Sequence, residues 1–454
     1  MPRSFGVVFV VALATWALLG MLVSDALANH VTCGDVITTD TTLDSDLLDC
    51  PGHGIVIGAD NITLDLNGHT IDGDDVSSEI DLCDVGVINA LVAPLCALPT
   101  DATHHGVTVR GGAIREFGFG IVLIRAAGAI VQDLEVSKTW GVLIHSSQDV
   151  AVERNRLFEN QYGVEIVGTS HAAVTGNRAW GNERGIVLEE VDHSRVTANV
   201  ASGNDDGIRL YGGADNELLG NHTVGNGYAG MVFFESAHGY RVSRNTVAEN
   251  GYIGIGLNDA GNNRVEHNRV MGNGFGAPAH FEGIGGIVVN EDEVVERNLV
   301  VGNRVGITTY CCGSGNFIAR NRVLDNGDGV ILSAGSHTLQ RNRVSYNAHR
   351  GIVLLGGPGD EPRSRVDANL VVGNGGDGIF VAETRTEEVL TGNSGYDNGD
   401  DGIDIETPNA TVIGSRVGRN ADFGIEAVSG VVDGGQNLAF RNGNPLQCLN
   451  VLCR

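Results

Sequence analysis

Acidic, basic, amide and aromatic side chains gather in the middle of this 454-residue chain. Asp206, Arg209 and Tyr211 sit within DGIRLY, and Tyr252, Asn258 and Asp259 follow in the next segments. A glycine- and proline-containing stretch, FGAPAHFE, adds His280 and Glu282. These residue types suit chemistry on a sugar. A guanidinium can offset a uronic carboxylate while a neighbouring base takes the C5 proton. Arg209 would play the first part, and His280 or Tyr211 the second. Paired carboxylates would instead support hydrolysis, for which Asp206, Asp259 and Glu282 are available. Glu165, Glu189, Phe234, Tyr252, Asn258, Asn290 and Tyr310 would supply the contact surface, rings flanked by carboxylates and amides. For each residue taken singly, ordinary solvated surface is the competing reading.

A repeat must position these groups. Asparagines recur at Asn160, Asn182, Asn204, Asn226 and onward to Asn442, thirteen in all, mostly 20 to 24 residues apart. A second series lies five residues earlier, from Asn155 to Asn393. A glycine followed by an aliphatic comes after each pair, as in Gly163-Val164, Gly185-Ile186 and Gly207-Ile208. Self-similarity at this period indicates a solenoid. Period-2 alternation after the glycine marks one short strand; others precede each asparagine pair and lie between its members. The expectation is an all-β parallel β-helix of about 14 coils of about 22 residues, with three short strands per coil. At about 4.8 Å per coil, strands pair in parallel with their copies above and below. Asparagine would stack amide on amide at a bend and tolerate left-handed backbone angles there. Glycine would serve a tight turn needing positive φ. Both rows therefore have a structural cause that outweighs a catalytic one. By strand parity the second and fourth residues after each glycine face outward, so the candidate residues from Glu165 to Tyr310 share one face.

With its N-x-x-x-x-N-x-x-x-G-[IV]-x-[LIV] coils, the chain resembles the right-handed parallel β-helix superfamily of pectate-lyase-like proteins, over roughly Gly54 to Asn442. That resemblance implies right-handedness and a polysaccharide groove beside one stacked sheet. The family's signatures are incomplete here. Gly52-His53-Gly54 mimics the GHG triplet of polygalacturonase-like hydrolases but precedes every candidate carboxylate pair. Asp400-Asp401-Gly402 has no accompanying NTD triplet, and the Asp-Pro-His of alginate epimerases is absent. The chain also resembles β-helix proteins that help mature copper enzymes. Four methionines and scattered histidines make no soft-ligand cluster for copper.

Composition sets the remaining bounds. Aromatic residues are only 5%, which suits a narrow core of stacked aliphatics. The net charge of −27, with a single lysine, opposes nucleic acid and anionic membranes. Acidic polysaccharides would be repelled too, unless a local basic patch or bound cations intervened. Arg3, the apolar run from Phe5 to Val23 and Ala26-Leu27-Ala28 read as a cleaved signal peptide. The expected organisation is a signal over 1–28, cap and first coils with a stapled insertion over 29–105, β-helix over 106–445 and a terminal loop over 446–454. Asp74 to His105 reads as irregular.

Eight cysteines fit disulfides in an exported chain: Cys33 with Cys50, Cys83 with Cys96, Cys311 with Cys312 and Cys448 with Cys453. Aspartates before the coil glycines could hold calcium, at Asp205 and Asp206 or at Asp400 and Asp401. Turn formation is the competing cause. The expected protein is a secreted, periplasmic or surface monomer, free of the membrane after cleavage, with a glycan or partner along the rod. The alternatives are a polysaccharide lyase, glycoside hydrolase or epimerase, and a periplasmic maturation scaffold.

Overall fold

A computed structural model describes residues 30–74, 83–90, 103–276, 284–310, 313–333, 335–356, 364–382 and 387–454. Among them are 51 strands and no helix. Each coil contributes one strand to each of three parallel sheets, labelled A, B and C, and sheet A has 17 strands. One coil runs through Tyr162–Val167 in sheet A, Ala173–Thr175 in B and Arg178–Trp180 in C. The next repeats it with Arg184–Glu189, Arg195–Thr197 and Val200–Ser202. Register is one-for-one: Val164 faces Ile186, Val174 faces Val196 and Ala179 faces Ala201.

Seventeen turns replace the expected 14. The first four turns, up to Glu135–Ser137, lie before the asparagine rows, although Gly54, Gly86 and Gly120 keep the coil-glycine position in three of them. The reading of Asp74 to His105 as wholly irregular also needs correction. Val85–Ile88 is a sheet A strand, pairing with Ile55–Ile57 on one side and Phe119–Ile124 on the other. Gly86 and the aliphatics around it obey the same coil rule, hidden in sequence by the surrounding cysteines and prolines.

Alternate residues point inward and form one continuous aliphatic core along the stack, with Val164, Ile166, Val174 and Ala179 fully buried. The corners are held by side-chain amides. Asn221 donates Nδ2 to the Val196 carbonyl (2.7 Å) and to Asn245 Oδ1 (3.1 Å). Its own Oδ1 accepts from the Asn199 backbone N–H and Nδ2, each at 3.0 Å. Both donors and both lone pairs are thus used inside a dry corner, where an unmet amide would be expensive. The second row behaves alike, and Gln447 Oε1 terminates it by accepting from Asn442 N and Nδ2.

Two expectations about backbone conformation were wrong. The left-handed residue is the one before each asparagine: Arg154, Ala198, Arg244, Glu159 and Glu249 have φ of 55°, 55°, 56°, 56° and 57°. The asparagine side chain bridges the bend instead of making it. The coil glycines are required by crowding and, apart from Gly141, not by positive φ. A Cβ on Gly185 would lie 2.5 Å from the Gly207 carbonyl oxygen. The third corner mixes residue types. There Glu293, fully buried, accepts from Asn263 N (2.8 Å) and Nδ2 (3.0 Å), and burial pushes its carboxyl up to about 7.

The disulfides Cys33–Cys50 and Cys448–Cys453 close the two ends, as expected. Cys83 is disulfide-bonded as well. Cys96, Cys311, Cys312 and the apolar segment from Phe5 to Val23 lie outside the described residues.

Asn221→Ala strands a carbonyl and two donors in a dry corner. Stability should fall by about 3 kcal/mol or more at about 1–3 kcal/mol per stranded group. Denaturant unfolding is the check, and an unchanged midpoint would contradict the role given to the amide row.

Candidate functional site

Sheet A carries the polar and aromatic groups singled out above. Parity is as expected: Ile186 and Leu188 enter the core, while Val187 and Arg209 share an outward column. Glu165 lies two coils before Arg209 in that column, about 10 Å away at the coil spacing. Tyr211 and Phe234 are neighbours in the next outward column.

At the centre is an ion pair. Arg209 Nη1 donates to Asp206 Oδ2 at 2.5 Å, and Asp206 is only 1% exposed. Arg209 packs its guanidinium against two rings, 4.9 Å from the Tyr211 centroid and 4.8 Å from that of Phe234. The rings themselves stack at 5.5 Å. Burial raises the Asp206 carboxyl above the usual range, against the pull of Arg209. Asp206 Oδ1 and Arg209 Nε have no hydrogen-bond partner. A buried polar atom left in this state marks a place for water, an ion or a ligand group.

Aromatic walls flank the pair. Tyr228 and Tyr252 sit 5.3 Å apart and, with Phe234 and Tyr310, pack over Ala229, Val232, Ile253 and Val288. Val232 and Val288 face outward yet are fully shielded. Burial raises the Tyr228 and Tyr310 hydroxyls, the second strongly. On the other side, Trp140 Nε1 donates to Glu165 Oε2 at 2.7 Å. Burial raises Glu165 despite that bond. Trp140 meets the Tyr162 ring edge-on at 4.9 Å, and Arg184 Nη1 donates to the Tyr162 hydroxyl at 2.6 Å.

The structure therefore brings Glu165, Asp206, Arg209, Tyr211, Phe234, Tyr252, Asn258 and Tyr310 onto one face. Glu189 is exposed beside Tyr211, Asn290 is half-buried along the same edge, and Asp259 is exposed. His280 and Glu282 lie outside the described residues. Sequence reasoning missed Trp140, Tyr162, Arg184 and Tyr228. Trp140, Tyr162 and Arg184 stand just before the coil glycine and Tyr228 one residue further back, positions legible from the same ruler.

Of the aspartates expected to hold calcium, Asp206 is taken by Arg209. Asp400 and Asp401 gather with Asp377, and Asp401 again with Asp404 and Glu426, with one oxygen from each residue of a group within 4.8 Å of the others. Arg350 Nε already supplies a cation 3.0 Å from Asp377 Oδ2. Burial and the proton shared with Glu426 raise Asp401, and burial next to Asp377 pushes Asp404 up to about 7.

The chain is a right-handed parallel β-helix, with three parallel sheets and a polar outer face on one of them. The family model described as periplasmic copper-binding protein (NosD) matches residues 100–246 and 132–284, and that of the right-handed beta helix region matches 285–389 and 310–448. No curated protein matches the chain.

Among solved structures, the periplasmic alginate epimerase AlgG is 14% identical, covering 69% of this chain and 76% of its own, with a TM-score of 0.37. Alginate lyase AlyF-OU02 with G6 is 12% identical over 70% and 81%, with a TM-score of 0.45. The A-module of mannuronan C-5 epimerase AlgE6 from Azotobacter vinelandii is 14% identical over 89% and 88%, with a TM-score of 0.30. Copper favours imidazole and sulfur donors. The ligand-like groups among the described residues are all carboxylate. That donor set does not fit copper.

The acidic end gives a pH dependence. A carboxyl raised in the folded state binds its proton more tightly there than in the unfolded chain, so stability falls as pH rises from its ordinary value to its raised one. For Asp404 that window runs from 3.8 to about 7. Asp404→Asn should raise the thermal midpoint at about pH 9 and leave it nearly unchanged at about pH 4. Equal effects at both would contradict the assignment.

Proposed function

We propose that this is an exported protein that binds an extracellular polysaccharide along the outer face of sheet A, centred on coils Glu165 to Tyr310. The observation that carries this reading is the Asp206–Arg209 pair. It is buried on an outward face, framed by Tyr211, Phe234 and Tyr228, and retains one free acceptor and one free donor. Sugars are met by such surfaces, with rings against their C–H faces and bidentate polar groups at their hydroxyls or carboxylates. The stacked coils extend the surface in one dimension, as a linear polymer requires. The described disulfides fit an oxidising compartment outside the cytoplasm.

A catalytic reading rests on a second observation. Glu165 and Asp206 are both raised by burial, the direction that a general acid requires. On this reading the protein is a lyase, hydrolase or epimerase working on the same bound chain. A maturation scaffold, the remaining alternative, gains the NosD match but no copper-type donors among the described residues.

A panel of neutral and acidic glycans separates these readings. Binding without new unsaturated uronates, reducing ends or epimers supports the binding protein, and product formation supports the enzyme. No binding to any glycan would overturn both. Tyr211→Ala/Phe234→Ala should weaken binding by about tenfold or more, about 1.4 kcal/mol. Arg209→Ala alone leaves the buried Asp206 charge unpaired and destabilises the site by about 3–5 kcal/mol. Asp206→Asn/Arg209→Gln is therefore the better probe, and it should lose binding while retaining the β-type circular dichroism of the rod. Undiminished affinity in both double variants would exclude this face.

A further inference from the structure

Sheet C carries charge of the opposite sign to the protein as a whole. Its first outward column holds Arg156, Arg178, Arg269, Arg322, Arg343 and Arg416, in register across twelve successive coils. Neither outward column of the sheet contains an aspartate or glutamate over those coils. The left-handed corner between sheets B and C adds Arg244, Arg297, Arg320 and Arg341 in the middle of the rod. All ten guanidiniums are exposed.

Within the ten, Arg156 pairs with Glu135, and Arg297 and Arg320 with Glu296; six others differ from the sheet B arginines in having no such partner. Arg241 and Arg264 are bound to Glu266, and Arg264 and Arg297 to Glu296, so those carboxylates are already neutralised. Arg178, Arg244, Arg269, Arg322, Arg341 and Arg343 make no ion pair with any described carboxylate, although Arg178 lies over the Trp180 ring. The corner with sheet A carries Glu159, Glu249, Asp325 and Asp397, and Asp397 is bound to Arg419. A chain of net charge −27 therefore keeps six guanidiniums without a described carboxylate partner along one side.

The strip also has a shaped element. Arg322, Leu324, Arg343, Ser345 and Tyr346 line a crevice of about 120 Å³. Tyr346 is 56% exposed, and its ring lies where a Cβ on Gly373 would stand, 2.7 Å from Cε1. A ring platform beside two free guanidiniums and a hydroxyl suits a sugar bearing a carboxylate.

We propose that the outer face of sheet C, with its corner to sheet B, binds an acidic polysaccharide lying along the rod, at a site separate from sheet A. Each coil advances by about 4.8 Å, close to the length of one sugar ring in a linear polyuronate, so carboxylates and guanidiniums can recur in step. The occupant is a polyuronate and not a nucleic acid. The cations form one sparse strip on a chain whose net charge of −27 repels a polymer as densely charged as DNA.

Titration with polygalacturonate oligomers, neutral dextran and single-stranded DNA, each at low and raised salt, tests the proposal. Polygalacturonate should bind, with affinity falling as salt rises, and dextran should not bind to this face. Arg322→Glu/Arg343→Glu should weaken polygalacturonate by about tenfold or more and flatten the salt dependence. Arg322→Gln/Arg343→Gln should do so to a lesser degree, and both should melt like the parent. Tyr211→Ala/Phe234→Ala should keep this salt-dependent binding, which separates its fate from that of the sheet A site. Unchanged affinity in the charge-reversed variant, loss only in the sheet A variant, or tighter binding of DNA than of polygalacturonate would each overturn the proposal.

Discussion

One-for-one parallel pairing between stacked coils is the constraint on which everything else rests. A coil of three short strands satisfies almost none of its own backbone groups. It becomes stable only when its N–H and C=O groups meet those of the coils above and below. The corners are the weak point, because the chain bends there and the ladder is interrupted. Asparagine solves this by bringing a second amide to the corner, so that the Asn199–Asn221–Asn245 row continues the hydrogen bonding where the backbone cannot. Crowding sets a matching rule on the other side of the bend. Coils approach so closely at Gly185 and Gly207 that a methyl group would strike the next carbonyl.

Strict register turns a sequence column into a spatial column. A residue type repeated at the same coil position becomes a stripe, and a residue type that breaks the pattern becomes a local site. On sheet A the break is a polar pair set among rings. Asp206 and Arg209 compensate each other's burial, and Tyr211 and Phe234 hold the guanidinium flat. On sheet C recurrence produces the feature, since arginine returns at the same coil position in six of twelve coils. The same geometry thus makes one face discrete and another continuous.

Much of this was legible in the chain. The asparagine rows and the Gly-aliphatic mark placed Glu165, Arg209, Tyr211 and Phe234 on one face before any coordinates. The first four turns were harder to see, because their corners use other residues and Val85–Ile88 is a lone strand between two segments of different character. Parity counted only from the glycine forward, so Tyr162 and Arg184, in the column just before it, and Tyr228, one residue further back, went unread. The roles of asparagine and glycine were inverted for a physical reason. Both residues are common at positive φ, whereas here the one bridges a bend and the other avoids a collision. The arginines were weighed only in the total charge, although Asn155-Arg156, Asn177-Arg178, Asn268-Arg269, Asn321-Arg322 and Asn342-Arg343 already announced a column.

The most direct measurement is hydroxyl-radical footprinting of the protein with and without a saturating glycan that it binds. If sheet A is the binding face, Trp140, Tyr211, Phe234 and Tyr252 should lose reactivity together, while Tyr396, on sheet C, keeps its own for a neutral glycan. Full reactivity at the sheet A rings in the presence of bound glycan would contradict it.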